Sequence, residues 1–223
     1  MIVVYTATRN FYPYLKATIR SLFEYNEPSK VYILAEDDEL PFAVPGHVVV
    51  VNVSSMKSYG VNANTPYSYM ALLRPRIADI VPEDKVIYLD VDTVVCDSLL
   101  PMWETDMRGK WWAACKEIQT WHNPFGPDYY NNGVSVYNLK QMRKDGIVPV
   151  MVRELETVKH RFVEQDVMNK FCVPDHVVTL NHRFNESYCC GFSLHPAVVH
   201  YAGVHDWFND RNIFRAEYLD KYR

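Results

Sequence analysis

The segment that most constrains this chain is Val86-Ile87-Tyr88-Leu89 followed by Asp90-Val91-Asp92. Four consecutive apolar residues of β-forming character predict a buried strand. Two carboxylates, two residues apart, then stand where that strand runs out. In an open α/β sheet, ligands bind in the crevice at the carboxyl ends of the strands. Acidic side chains there suit a hard divalent ion whose shell a phosphorylated ligand completes. An isolated Asp-x-Asp is also what an Asp-rich turn looks like, so its meaning rests on what surrounds it.

Strand-like and helix-like stretches alternate around this segment. Ile2–Thr6, Val31–Leu34 and Val48–Val53 read as strands, the last bounded by Pro45-Gly46. Tyr14–Phe23 carries Leu15, Thr18, Ile19, Leu22 and Phe23 at helical spacing and follows Pro13, which suits a helix start. A helix from about Tyr67 to Ile80 is expected to kink or start late at Pro75. This βαβ alternation predicts an α/β fold with a mostly parallel, doubly wound sheet. Further on, Trp111–Ala114, Val134–Tyr137, Val177–Leu180 and Val198–His200 read as strands, and Val148–Thr157 and Gln165–Phe171 as helices. The loop Gln119–Tyr130, with Trp121, His122, Pro124, Phe125, Gly126 and Pro127, reads either as an acceptor lid or as a packed surface loop. No repeat or linker interrupts the chain.

Composition narrows the class. A chain of 223 residues, 48% hydrophobic, suits one domain with a sizeable core. A formal charge of −4 gives no electrostatic case for nucleic-acid binding. The chain opens directly on Ile2-Val3-Val4-Tyr5, without a basic leader and apolar stretch, so no signal peptide is expected. No apolar run is long enough to span a bilayer. The five cysteines, Cys96, Cys115, Cys172, Cys189 and Cys190, are odd in number and lack Cys-x-x-Cys spacing. They predict buried, reduced thiols of a cytoplasmic protein rather than a disulfide framework or zinc site.

Several polar pieces lie at strand and helix boundaries. Thr6-Ala7-Thr8-Arg9-Asn10 follows the first strand, and Arg74 sits on the helix before the Asp pair. Tyr130-Asn131-Asn132-Gly133 precedes a strand, Glu164-Gln165-Asp166 opens a helix, and His200-Tyr201-Ala202-Gly203 follows the last strand, with Trp207 beyond. In this order the pieces resemble the retaining glycosyltransferases of family 8, which have the GT-A fold. The resemblance runs from Ile2 to Trp207. It is carried by Val86–Val95, by Asn131–Leu139 and by Gln165-Asp166-Val167-Met168-Asn169.

The resemblance implies a single GT-A domain over residues 1–223, with residues 1–95 the nucleotide-binding half and 96–223 the acceptor and catalytic half. It implies a UDP-sugar donor, UDP-glucose or UDP-galactose, and Mn²⁺ or Mg²⁺ as cofactor. Asp90, Asp92 and His200 would ligate the metal, with Asp90 also touching the ribose. A carboxylate and imidazole set favours Mn²⁺ over Mg²⁺. Thr6, Ala7 and Thr8 would meet uracil through their backbone, and Asn10, Val91, Asn131, Asn132 and Gly203 would line the donor site. Arg74 matches a residue near the donor, where a guanidinium makes paired hydrogen bonds to phosphate or sugar; otherwise it would form a surface ion pair with Asp79 or Glu83. His200 alone would read as a satisfied buried histidine. Gln165 takes the position debated as catalytic, and Asp166 would hold sugar hydroxyls or cap the helix. An amide is a poor nucleophile, which favours front-face attack with the departing phosphate as base over a covalent route. The acceptor would be a glycan, a lipid-linked sugar or a protein.

Some positions depart from the family pattern. His205 stands where a lysine usually grips the diphosphate, and Asp206 replaces a proline. An imidazole in that role predicts phosphate binding that weakens above about pH 7. It also motivates a rival reading, a nucleotide-sugar-binding protein that has lost turnover. An inverting transferase or nucleotide-sugar hydrolase on the same fold is the other. Arg9 replaces an acidic residue, and Asn132 replaces a small one where the sugar would lie. The tail, with Phe208, Ile213, Phe214 and Tyr218 among basic residues, would cap the domain or touch a membrane surface.

Overall fold

The computed structural model describes residues 1–57, 60–64, 67–118, 125–126, 128–204 and 206–223. Strand β1 (Ile2–Ala7) leads into helix α1 (Tyr12–Tyr25), then β2 (Lys30–Ala35) and β3 (Val48–Asn52). The expected Tyr67–Ile80 helix is broken at Pro75: α2 (Tyr69–Leu72) and α3 (Ile77–Ile80) flank a 3₁₀ turn at Arg74–Arg76. Then come β4 (Val86–Leu89), β5 (Thr93–Val95), α4 (Leu100–Trp103), β6 (Trp112–Lys116) and β7 (Tyr130–Tyr137). Helices α5 (Leu139–Asp145), α6 (Ile147–Thr157) and α7 (Val163–Cys172) follow, and β8 (Val177–Leu180), β9 (Val198–His200) and α8 (Ala216–Leu219) complete the order.

Seven strands form one sheet in the order β3-β2-β1-β4-β7-β6-β8. All run parallel except β7, which is antiparallel to both β4 and β6. The sheet is continuous across residue 95, because β7 pairs directly with β4. Alternation along the strands feeds two cores. Val4, Tyr32, Val86 and Tyr88 face the side covered by α3, α5, α6 and α7. Val3, Tyr5, Ile87 and Leu89 face the side covered by α1, through Leu15, Ile19 and Leu22. Every residue of β4 is fully buried, as its unbroken apolar run predicts.

The triplet Asn131-Asn132-Gly133 does not precede a strand; it lies inside β7, which begins at Tyr130. Turn-like residues tolerate this setting because their polar groups find tertiary partners, described below. Among the thiols, Cys115, Cys172 and Cys190 are buried, whereas Cys96 and Cys189 are only half-buried; all five are free. The tail folds back over a small second sheet made by β5 and β9. Trp207, Ile213, Leu219 and Tyr222 bury themselves with Val94, Val199 and Tyr201. Among the described residues no helix is long and apolar enough to cross a membrane. The expected aromatic loop falls largely outside the described residues, including Trp121, His122, Pro124 and Pro127, and so does His205.

Helix α1 fixes β5, the strand that follows Asp92. Ser21 Oγ accepts the Val95 N–H at 2.9 Å and donates to the Thr18 carbonyl at 2.7 Å, while Thr18 and Thr93 join hydroxyls at 3.0 Å. All three side chains are buried. Ser21→Ala leaves the Val95 N–H without its partner, and chemical denaturation is expected to show a loss of about 1–3 kcal/mol, the cost of an unsatisfied buried donor.

Candidate active site at the end of the central strand

Asp90 and Asp92 flank the turn between β4 and β5, which Thr93 Oγ1 closes by donating to the Asp90 carbonyl at 2.7 Å. Antiparallel pairing sets His200 of β9 opposite Thr93. The imidazole thereby comes over the turn, with Nε2 3.3 Å from Asp92 Oδ1 and 3.9 Å from Asp90 Oδ2. One ligand atom from each of the three residues lies within 4.8 Å of the others. On the neighbouring strand, the Gly133 carbonyl accepts the Asp90 N–H at 2.7 Å. A Cβ at Gly133 would overlap the His200 ring and stand 2.7 Å from Asp90 Oδ2. Glycine is required here for space, so that ring and carboxylate can converge on one point.

Asp90 is held asymmetrically. Its Oδ1 accepts from Arg74 Nη2 and from the Tyr88 hydroxyl, each at 2.6 Å, while Oδ2 faces the imidazole. One oxygen is spent on the protein and the other is turned toward the site. Arg74 is the organising cation. Its Nη1 lies 2.6 Å from Glu164 Oε1, its Nε donates to Tyr88 OH at 3.1 Å, and its guanidinium sits 5.0 Å from the Tyr88 ring centroid. The expected surface pair with Asp79 or Glu83 does not form: Glu83 binds Lys30, and Arg74 is only 12% exposed. Asp90 and Asp92 set two carboxylates against this one guanidinium. Two carboxylates and an imidazole whose Nε2 is turned toward them fit a divalent ion of the Mn²⁺ type.

Helix α7 enters the site under strain. Val163, a β-branched residue, has φ +39°, in the left-handed region. Asp166 braces that entry: Oδ2 accepts the Arg161 and Phe162 N–H groups at 3.0 Å each, and Oδ1 accepts the Tyr129 hydroxyl at 2.5 Å. Asn169 locks the helix to β7 through a paired amide contact with Tyr130, at 2.7 and 2.8 Å. Gln165 Oε1 accepts the Asn132 N–H at 3.1 Å, and its Nε2 donates to Glu117 Oε1 at 3.1 Å. Asn131 is buried, donating to Glu117 Oε1 at 3.1 Å and accepting from Asn185 Nδ2 at 2.9 Å. Asn132 is fully buried, with Oδ1 accepting the Tyr137 hydroxyl at 2.5 Å. Among the described residues its Nδ2 and Glu164 Oε2 are buried without a hydrogen-bond partner. Glu117, Glu164 and Asn185 were not singled out as site residues from sequence. Glu164 was visible only as part of an acidic helix opening.

The remaining sequence candidates lie at the carboxyl end of β1 or near the tail. Thr6 and Ala7 are buried in the strand, and Thr6 Oγ1 contacts Tyr88 OH at 2.9 Å. Thr8 and Asn10 line a cleft of about 580 Å³ with Phe11, Glu36, Lys57 and Tyr69. Arg9 lines the same cleft and pairs with Asp37 at 2.5 Å. Val91 is half-buried against the α1-side core. Gly203 is exposed, with φ +70°.

Burial alone would lower the His200 pKa, but the Asp92 and Asp90 carboxylates overcome it and hold the imidazole above its ordinary value. Asp92 is lowered, because His200 outweighs burial. Asp90 is raised by burial, against the opposing pull of Arg74. Burial also pushes Glu164 up to about 7, despite Arg74. The folded state therefore keeps a proton on Glu164 that the unfolded chain releases near pH 4.5. Stability from this group is full below that value and is lost as pH rises to about 7. In chelator, wild type is expected to lose about 3 kcal/mol relative to Glu164→Gln across that window, read from urea midpoints.

Comparison with known proteins identifies the family and the fold. The model of glycosyl transferase family 8 matches residues 2–209. A Streptococcus gordonii protein named as a glycosyl transferase is 25% identical over 201 residues, covering 82% of this chain and 29% of that protein. A Haemophilus influenzae glycosyltransferase is 24% identical over 213 residues, covering 83% of this chain and 63% of the relative. The chain thus spans less than two thirds of these relatives. An active-site mutant of LgtC superposes with a TM-score of 0.79 at 24% identity, covering 100% of this chain and 95% of that one. The galactosyltransferase LgtC in complex with donor and acceptor sugar analogs gives a TM-score of 0.74 at 23% identity, with the same coverage. The chain belongs to glycosyltransferase family 8 and has the GT-A fold.

Proposed function

We propose that this domain transfers a hexose from a UDP-sugar to an acceptor hydroxyl with retention of configuration, in a reaction that needs Mn²⁺ or Mg²⁺. The observation that carries this reading is the convergence of Asp90, Asp92 and His200 within 4.8 Å at the carboxyl end of β4. The cleft beside β1, lined by Thr8 and Asn10, would take the nucleoside. The diphosphate would lie between that cleft and the Asp pair. A bound ion would supply charge neutralisation and Lewis acidity to the diphosphate as UDP departs. LgtC, whose fold this chain shares, is described as a galactosyltransferase in complex with donor and acceptor sugar analogs, which supports a sugar donor here, and UDP-galactose or UDP-glucose is the donor we favour.

The chain's own residues would work by position and charge. Arg74 holds Asp90 so that Oδ2 faces the site, and it balances part of the carboxylate charge. Gln165 is pinned by the Asn132 N–H and by Glu117, which supports a role in placing the sugar rather than attacking it. Asp166 has both oxygens engaged in bracing α7 and would act through that helix. A double displacement requires a nucleophile on the far face of the sugar. A hydrogen-bonded amide does not meet that need, so front-face attack with the departing phosphate as base is the mechanism we favour.

Two measurements test this. NMR of the product formed from a panel of α-linked UDP-hexoses is expected to show an α-linkage. A β-linked product would establish an inverting enzyme, and UDP binding without product from any acceptor or from water would establish a binding protein. Gln165→Ala is expected to lower kcat by about 10- to 1000-fold, the span of a lost positioning or electrostatic contact, with UDP affinity intact. Complete loss of turnover with intact UDP affinity would favour the covalent route.

A further inference from the structure

We propose that the backbone N–H of Gly133 in β7 sets the polarity of a side-chain chain that keeps a proton on His200 Nδ1 and leaves Nε2 for the metal, while the N–H of Asn132 beside it sets the Gln165 amide. The argument starts from the donors whose identity is unambiguous. A backbone N–H can only donate, whereas the two ends of an amide side chain are told apart only by their partners. The Gly133 N–H lies 3.0 Å from one end of the Asn131 amide, so that end is the oxygen. The Asn185 atom 2.9 Å from the same oxygen must then be its Nδ2. That leaves Asn185 Oδ1 facing His200 Nδ1 at 2.8 Å, so Nδ1 carries the proton. Asp92 Oδ1, 3.3 Å from Nε2, is the rival acceptor for the ring proton, and the shorter 2.8 Å contact to Asn185 leaves the lone pair of the neutral ring on Nε2.

The same strand sets the other branch. The Asn132 N–H, one residue earlier, contacts one end of Gln165 at 3.1 Å, so that end is Oε1 and Nε2 turns to Glu117. Asn131 Nδ2 donates to the same Glu117 oxygen at 3.1 Å. Asn185, Asn131 and Asn132 are 0%, 5% and 0% exposed, so water does not offer substitute partners. Consecutive N–H groups of one strand thus orient the metal-facing imidazole and the Gln165 amide together. Asn185 and Asn131 are positioning residues acting through His200. Hydrogen bonds from a ligating histidine to such partners hold its tautomer and raise its affinity for metal.

This proposal rests on the reading of Asp90, Asp92 and His200 as a metal site, and the test separates the two. Long-range ¹H–¹⁵N correlation on the histidine-labelled full chain, at a pH where the ring is neutral, is expected to show His200 as the Nδ1–H tautomer. The Nε2–H tautomer overturns the proposal. Calorimetric titration of Mn²⁺ in the presence of UDP then compares a variant with wild type. Asn185→Leu is expected to weaken Mn²⁺ binding roughly 10- to 100-fold, the effect usual for loss of such a partner. A folded Asn185→Leu that holds Mn²⁺ as tightly as wild type overturns the proposal. If Asn185→Leu does not fold, or if wild type takes up no Mn²⁺, the tautomer still decides. In the latter case the metal reading fails on its own.

Discussion

The guanidinium of Arg74 ties the site together. It lies between Asp90, at the end of β4, and Glu164, in the first turn of α7, with 2.6 Å contacts to both. Burying that many charges is costly unless each finds a partner, and removing one member of such a set leaves the others uncompensated. Arg74 therefore does more than neutralise. By taking Oδ1 of Asp90 it turns Oδ2 toward His200, and by taking Oε1 of Glu164 it ties the helix carrying Gln165 to the strand carrying the Asp pair. The broken helix around Pro75 has a local consequence here, because Arg74 projects from the 3₁₀ turn that Pro75 helps to form.

The antiparallel strand β7 is the second constraint. Its neighbour β4 delivers the carboxylates, and β7 supplies the floor beneath them through Gly133 and the N–H groups of Asn132 and Gly133. A parallel strand in that place would present a different hydrogen-bond pattern toward the site. The small sheet of β5 and β9 then closes the third side by bringing in His200. Two pairings, β4 with β7 and β5 with β9, thus assemble a site from segments far apart in the chain.

Much of this fold was legible in the chain. Val86–Leu89, Val177–Leu180 and Val198–His200 read as strands and have those limits, since short apolar runs bounded by polar residues leave little choice of boundary. Other elements were hidden for physical reasons. Strand β5 follows β4 after only Asp90-Val91-Asp92, so no separate boundary marks it in the sequence. Helix α5 was missed although it carried a signal: Asn138 caps it by accepting the Gln141 N–H at 3.1 Å, and Gly146 ends it at φ +64°. Asn131-Asn132-Gly133 has the composition of a turn, and only tertiary hydrogen bonds make it a strand.

The same contrast holds at the site. Asp90 and Asp92 were readable because they follow an apolar run that ends a strand, whereas His200 was marked by the family resemblance and alone would read as a satisfied buried histidine. Glu117, Glu164 and Asn185 follow no periodicity; their importance lies in whom they touch, which no local pattern encodes. The proposed reaction requires a metal-dependent nucleotide site at the end of β4. The decisive experiment is calorimetric titration of UDP into wild type and Asp92→Asn, with Mn²⁺ and with chelator. Binding to wild type is expected to require Mn²⁺ and to be lost in Asp92→Asn. Equal binding in chelator, or no binding under any condition, would contradict it.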